Sequence, residues 1–161
     1  MKKNVCFIAL LGLLTLAAFT PVKVVSNRSA ATVAEPVKLS WETLRDVTFK
    51  KKWYPEESVY MLYPTFGAGI QKLSGKPVEL TGYVLPVDYE SNLYVLSAFP
   101  YSACFFCGGA GPESVVSLKF KKNGLKFKTD ERRTFRGTLK LNADNIYELN
   151  YIIADAEMVE Q

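Results

Sequence analysis

From Pro77 onward the chain alternates between apolar and polar positions. In VELTGYVLPV, Val78 to Val87, the residues Val78, Leu80, Gly82, Val84 and Pro86 fall on one face. A period of two predicts a half-buried strand. The period returns in LYVLSAF (Leu93 to Phe99), SVVSLKF (Ser114 to Phe120) and LKFKT, then in TFRGTLKLN (Thr134 to Asn142), where Phe135, Gly137, Leu139 and Leu141 are in step. The last run, IYELNYIIADAEMVE, alternates less cleanly and is expected to bend near Ala154. Upstream the period is helical: Ser40 is placed to cap SWETLRDV, whose Trp41, Leu44 and Val47 share a face. Thr48 to Tyr54 follow, with Phe49 and Trp53 as packing points and Lys50–Lys52 as a solvated edge or an anion contact. Pro55 and Pro64 break the next region, which predicts an irregular strand and a turn at Ser74-Gly75-Lys76-Pro77.

About five strands with short turns and a glycine inside the first predict a mainly β protein. The expected architecture is a small antiparallel OB-like barrel with a short N-terminal helix after a signal segment; an open sandwich is the alternative. Gly82 within its strand predicts a bend or bulge. No glycine-rich loop joins a strand to a helix, which excludes phosphate-loop and dinucleotide motifs.

The first stretch stands apart from that core. Lys2 and Lys3 precede the apolar run Val5 to Phe19, the pattern of an export signal. As a helix the run spans about 22 Å, short of the roughly 30 Å of a bilayer core, so a signal peptide (1–20) is favoured over an anchor. Membrane contact is expected only if this segment stays uncut. Cys6 lies at the start of the apolar run, not after it, and so is not placed as an acylated cysteine. Cleavage is expected near Ala17 or Ala18, or as late as Ala34; residues 21–36 form a polar spacer, and 37–161 the single OB-like β domain. The expected location is exported, periplasmic or extracellular, and membrane-tethered if the segment is retained.

Charge and histidine content narrow the function. The net charge is +4, but residues 1–34 hold Lys2, Lys3, Lys23 and Arg28 and no acid, so cleavage after Ala34 leaves zero. The basic balance belongs to targeting, and no nucleic-acid partner is expected. The segment Lys119 to Lys140 has nine Lys and Arg against Asp130 and Glu131, interleaved with Phe120, Leu125 and Phe127. That is the pattern of a strand with one solvated face. The chain has no histidine, which removes serine–histidine and cysteine–histidine nucleophiles and the usual histidine zinc sites. No enzymatic activity is expected.

One segment carries candidate chemistry. In YSACFFCGGAGPESVV, Cys104 and Cys107 form a C-x-x-C pair. An oxidising compartment makes a disulfide the default, a staple in the loop. A thiol–disulfide centre would need a helix after its first cysteine, yet Gly108, Gly109, Gly111 and Pro112 follow. As metal ligands the two thiolates fill half a zinc shell, to be completed by carboxylates such as Asp88 or Glu113 or by a second copy of the loop; copper(I) accepts fewer, softer ligands. Copper or zinc are therefore the candidate metals. Phe99, Tyr101, Phe105 and Phe106 cluster around the pair. They are expected either to plug one end of the barrel or to form a contact patch, with Tyr101, Phe105, Phe106 and Glu113 meeting a partner or ligand.

The succession LSGKPVELTGYVLPV, YVLSAFPYSACFFCGGAGPESVVSL, FRGTLKLN and YELNYIIADAEMV resembles an exported bacterial family of unknown function, domain-of-unknown-function family thirty-two ninety-nine. The likeness runs from about Trp41 to Glu160, strongest at Gly82 to Pro86 and in the cysteine–proline loop. It implies a small periplasmic or lipid-anchored protein with a binding or accessory role. Some members are thought to be encoded beside metal-related transporter genes, which implies an envelope or membrane transport protein as partner. The family loop usually carries a cysteine and a histidine-rich or proline-rich segment. Here histidine is absent and a second cysteine stands in the loop, which shifts any metal role to Cys104 and Cys107. The expected function is thus an exported accessory or binding protein, with metal handling through that loop. The alternatives are a redox protein using the same pair, or an interaction module with a structural disulfide.

Overall fold

The computed structural model describes residues 35–88, 90–122 and 124–160. The expected signal segment and residues 21–34 of the spacer, with Lys2, Lys3 and Cys6, lie outside the described residues. The strands are β1 (Val37–Lys38), β2 (Val47–Tyr54), β3 (Val59–Phe66), β4 (Pro77–Asp88), β5 (Leu93–Ser97), β6 (Val115–Phe120), β7 (Glu131–Leu141) and β8 (Tyr151–Met158). Two four-residue helices join them, α1 (Trp41–Leu44) and α2 (Ala68–Gln71).

Five strands close a barrel in the order β4-β5-β6-β8-β7, with β7 pairing back onto β4. Four of the five seams are antiparallel and the β6–β8 seam is parallel. The expected small OB-like barrel is thus observed, mainly antiparallel with one parallel seam, and the reason for that seam is parity: a closed ring with an odd number of strands cannot alternate direction all the way round. The order is that of the OB barrel.

Alternation places the core. Val78, Leu80 and Val84 of β4, Tyr94 and Leu96 of β5, Val116 and Leu118 of β6, and Phe135 and Leu139 of β7 all point inward and are buried. On β8 the phase slips. Tyr151, Ile153 and Ala156 all reach the core, because Asp155 sits at φ 52° and the register against β6 jumps between Lys119 and Phe120. The bend expected near Ala154 is this bulge. Residues 125–129 keep the expected facing, with Phe127 buried and Lys126 and Lys128 exposed, but they pair with no strand. They cross from β6 to β7, and Phe127 joins Phe120 and Phe135 in a ring cluster with centroids 5.5–5.7 Å apart.

Helix α1 is shorter than the expected Ser40–Val47 span. The Ser40 side chain accepts from the Thr43 amide at 3.2 Å, a regular N-cap. The chain then leaves the helix at Arg45, and Val47 already belongs to β2. Asp46 faces the other way and caps α2, accepting from the amides of Gly69 (2.8 Å) and Ile70 (3.1 Å). Two bonds fix α1 to the barrel. The Tyr151 hydroxyl donates to the Leu44 carbonyl at 2.6 Å, and the Trp41 indole donates to Thr81 O at 2.8 Å. Burial pushes the Tyr151 phenol well above its ordinary value.

β2 and β3 form a separate two-stranded sheet, paired without interruption from Val47↔Phe66 to Tyr54↔Val59. This corrects the irregular stretch expected on either side of Pro64. Val47 N donates to Arg45 O, and Phe66 O accepts from the Gln71 side chain, so Val47 and Phe66 do not exchange bonds. Antiparallel pairs alternate between bonded and non-bonded types. Hence Phe49–Pro64, Lys51–Leu62 and Trp53–Tyr60 are non-bonded pairs too, with backbone groups pointing outward. Proline is tolerated where its missing N–H would face away from the partner strand.

Candidate functional site

The loop between β5 and β6 carries the cysteines. It folds into three short 3-10 turns, Tyr101–Ala103, Phe105–Cys107 and Pro112–Ser114. Pro100 precedes the first turn, Gly108 at φ 74° ends the second, and Pro112 opens the third. The Cys104 carbonyl accepts from the amides of Cys107 (3.2 Å) and Gly109 (3.1 Å).

Cys104 is fully buried, packed with Leu85, Val95 and Val115. Those residues alternate with the inward ones, so they form the outer face of β4, β5 and β6. The loop therefore covers the barrel's outer wall and does not plug its end. The cause is visible in the pattern: these strands are apolar on both faces, and the outer face needs a cover. Phe105 and Leu149 complete this second cluster.

Cys107 is exposed, and both cysteines are free thiols. The loop's hold on the barrel in this structure owes nothing to a disulfide. Burial of its surroundings raises the Cys107 pKa, and the charge and hydrogen bond of Cys104 add to the rise. Reactive thiols need the opposite, a cationic neighbour or a helix N-terminus. A three-residue 3-10 turn supplies neither, so the electrostatics run against nucleophilic thiol chemistry at this position.

The structure does not bring the expected carboxylates to the pair. Glu113 lines a separate cleft with Trp41 and Arg45. Asp88 caps its own turn, accepting from the Glu90 amide at 2.9 Å and the Ser91 hydroxyl at 2.6 Å, bonds that hold its pKa below the ordinary value. Among the described residues no group of three His, Cys, Asp or Glu is placed to hold a metal. A four-ligand zinc site is thus not assembled, while two neighbouring thiols match the low coordination number of copper(I). Tyr101 is exposed, its amide donating to Asp130 at 2.7 Å. Phe106 is half-exposed and meets Phe105 edge to face at 5.6 Å.

Beside the loop lies an apolar cleft of ≈ 350 Å³. Its walls are β3 (Tyr60 to Tyr63), Phe105 and Pro112 of the cysteine loop, and the loop joining β7 to β8. That last wall is stiffened by Asn142. Its side-chain nitrogen donates to the carbonyls of Asn145 (2.7 Å) and Glu148 (3.0 Å), and its side-chain oxygen accepts from the Asn145 amide (2.9 Å). At the hairpin turn the Tyr147 hydroxyl donates to Glu57 at 2.5 Å, bridging the walls. That bond is the main cause of the raised Tyr147 pKa, with the Glu57 charge next. A second cleft of ≈ 210 Å³ lies over the outer face of β5 and β6, lined by Phe106 together with Val95 and Lys119. Ile146 and Leu149 line both, so Phe105 serves one cleft and Phe106 the other.

Sequence reasoning missed Tyr60, Leu62, Ile146 and Leu149. The signal that was there is the run of asparagines at 142, 145 and 150, since asparagine side chains build turns by bonding nearby backbone. The basic segment is solvated as expected, and several of its charges are paired: Lys119 with Glu148, and Lys121 and Arg136 with Glu157.

No family model matches the chain, and no curated protein matches it. Among solved structures it is similar to a DUF3299 family protein from Pseudomonas aeruginosa PAO1, at 18% identity and a TM-score of 0.49, covering 80% of this chain and 99% of that one. That designation is the one the sequence motifs resemble.

Proposed function

We propose that the protein is an exported, non-catalytic binding module that holds an apolar segment of an envelope transport partner in the ≈ 350 Å³ cleft. The observation that carries this reading is the cleft itself. Three elements distant in sequence converge on it, its lining is mostly apolar, and its volume falls within the range of roughly 300–1,000 Å³ usual for binding sites. Tyr60 and Leu62 stand exposed beside it at 69% and 43%. The test is a titration of isotope-labelled protein with decanoate and with a panel of apolar hexapeptides of differing charge. Amide shifts should cluster on β3 and residues 145–150, and Ile146→Asp should weaken binding about tenfold, the loss of one well-buried side-chain contact, with unchanged melting. Absence of any shift there at millimolar ligand would overturn the reading.

A second reading rests on the free thiols. Two adjacent cysteines without a third ligand suit copper(I), with Phe105 and Phe106 shielding the ion. Cys104 is part of the core, so the variant to use is Cys107→Ser. Competition against bicinchoninate should show one copper(I) per chain in the parent protein and none in the variant. Equal uptake by both ends this reading.

A further inference from the structure

The cleft meets β3 from an unusual direction. Tyr60, Met61, Leu62 and Tyr63 all line it, although successive residues of a strand face opposite sides. Four consecutive residues can border one cleft only if it lies against the strand's edge. That edge is the one turned away from β2, because β2 contributes nothing to the lining. Tyr60 and Leu62 belong to non-bonded pairs with β2, so their N–H and C=O groups point outward along this edge. Among the described residues no backbone or side-chain group bonds to them.

We propose that the occupant of the cleft is an extended peptide that adds to β3 as an antiparallel strand, with an anionic side chain at its N-terminal end and a cationic one at its C-terminal end. The inference rests on the cleft reading above and names what the cleft takes. Free backbone donors and acceptors at alternate residues ask for a backbone in return, the mode of strand addition. An alkyl chain would cover those amides without bonding them, which costs free energy for each. Pro64 has no N–H to offer and so marks where the added ladder stops.

Antiparallel pairing is the more stable per residue, and charge then sets which end of the peptide carries which sign. Glu57 sits at the hairpin turn, bonded to Tyr147 at that end of the cleft, with Glu56 beside it in the turn. Lys52 lies over the Tyr63 ring, 4.7 Å from its centroid, at the other end. An antiparallel peptide puts its C-terminal end at the turn, where a lysine meets Glu57, and its N-terminal end near Lys52. The facing wall is held by Asn142 and needs little ordering on binding, which favours affinity. A second copy of this chain fits poorly, since its β3 edge is walled by its own 142–150 loop.

The probe is a hexapeptide of order glutamate, valine, threonine, valine, threonine, lysine, acetylated and amidated at its ends. Its amide shifts should fall on Tyr60–Tyr63 and residues 145–150. N-methylating one alternate set of its amides should weaken binding about tenfold, while methylating the other set changes little, because only one set faces β3. Exchanging its glutamate and lysine should weaken binding roughly threefold. On the protein side, Leu62→Pro removes one outward N–H at a position of the kind that already accepts Pro64. It should fold, shown by unchanged melting, and lose binding. If Leu62→Pro fails to fold, the methylated peptides decide alone. Binding in the cleft that is indifferent to methylation, or binding of decanoate without peptide, overturns strand addition and leaves the cleft reading standing. No ligand in the cleft overturns both. A dimer that dissociates on adding the peptide would assign the edge to a second copy instead.

Discussion

Phe135→Ala is expected to lower the stability of the barrel by about 3–5 kcal/mol, the range for deleting a fully buried aromatic side chain. Phe135 is 0% exposed. It pairs with Leu80 across the β4–β7 seam, the pairing that closes the ring. Its ring also carries Phe120 and Phe127, at 5.7 and 5.5 Å between centroids. Removing it therefore opens a cavity at the seam and strips partners from the segment that crosses between β6 and β7. Domains of this kind have a total stability of about 5–15 kcal/mol, so the loss is a large share of the whole. Urea unfolding should show the midpoint falling with an unchanged slope. Phe106→Ala, at a half-exposed ring, should stay within about 0.5 kcal/mol of the parent. A loss below about 1 kcal/mol for Phe135→Ala would mean that the closing seam is held by something other than this cluster.

The barrel was legible because it rests on alternation, which local sequence records. Val78, Leu80, Val84, Phe135 and Leu139 could be placed facing one interior before any contact was known. The parallel seam was not legible residue by residue, although counting five strands and closing them was enough to require one. The β2–β3 hairpin was hidden by Pro64, which reads as a breaker unless one knows that its nitrogen faces away from β2.

The cysteine loop shows a different limit. Its composition was plain, but its position depended on Leu85, Val95 and Val115, whose outward apolar side chains make β4 to β6 read as nearly continuous apolar runs. Such runs signal burial on two faces; read that way, they call for a cover on the outer wall. Glu113 is near the cysteines in sequence, but the Pro112–Ser114 turn, closed by the Ser114 hydroxyl on the Gly111 carbonyl at 2.6 Å, directs it to the α1 side. The edge of β3 was beyond local reading altogether, because which backbone groups face outward depends on pairing phase. Only the ladder to β2 and the bonds at its ends reveal it.

Gly82 was expected to mark a bend, and its actual role predicts a second large effect. The pairing of β4 with β7 runs unbroken through Gly82, and the irregularity against β5 falls later, between Pro86 and Asp88. What the site requires is space. A Cβ there would sit 2.6 Å from the Ser97 carbonyl oxygen and 2.9 Å from both the Leu96 Cγ and the Trp41 ring. The carbonyl cannot retreat without loosening the Tyr83↔Ser97 pairing, and the indole cannot retreat without stretching its 2.8 Å bond to Thr81 O. Gly82→Ala should therefore cost about 3 kcal/mol, the upper end for overpacking a tight site. The Trp41 contribution to the fluorescence should shift to the red as α1 lifts. Gly108→Ala gives the comparison: at φ 74° with open space around it, only the left-handed backbone is penalised, by about 1 kcal/mol. Equal losses at the two positions would mean that glycine at 82 is needed for backbone freedom alone. The expected threefold difference would show that it lets a helix side chain and a neighbouring strand press against β4.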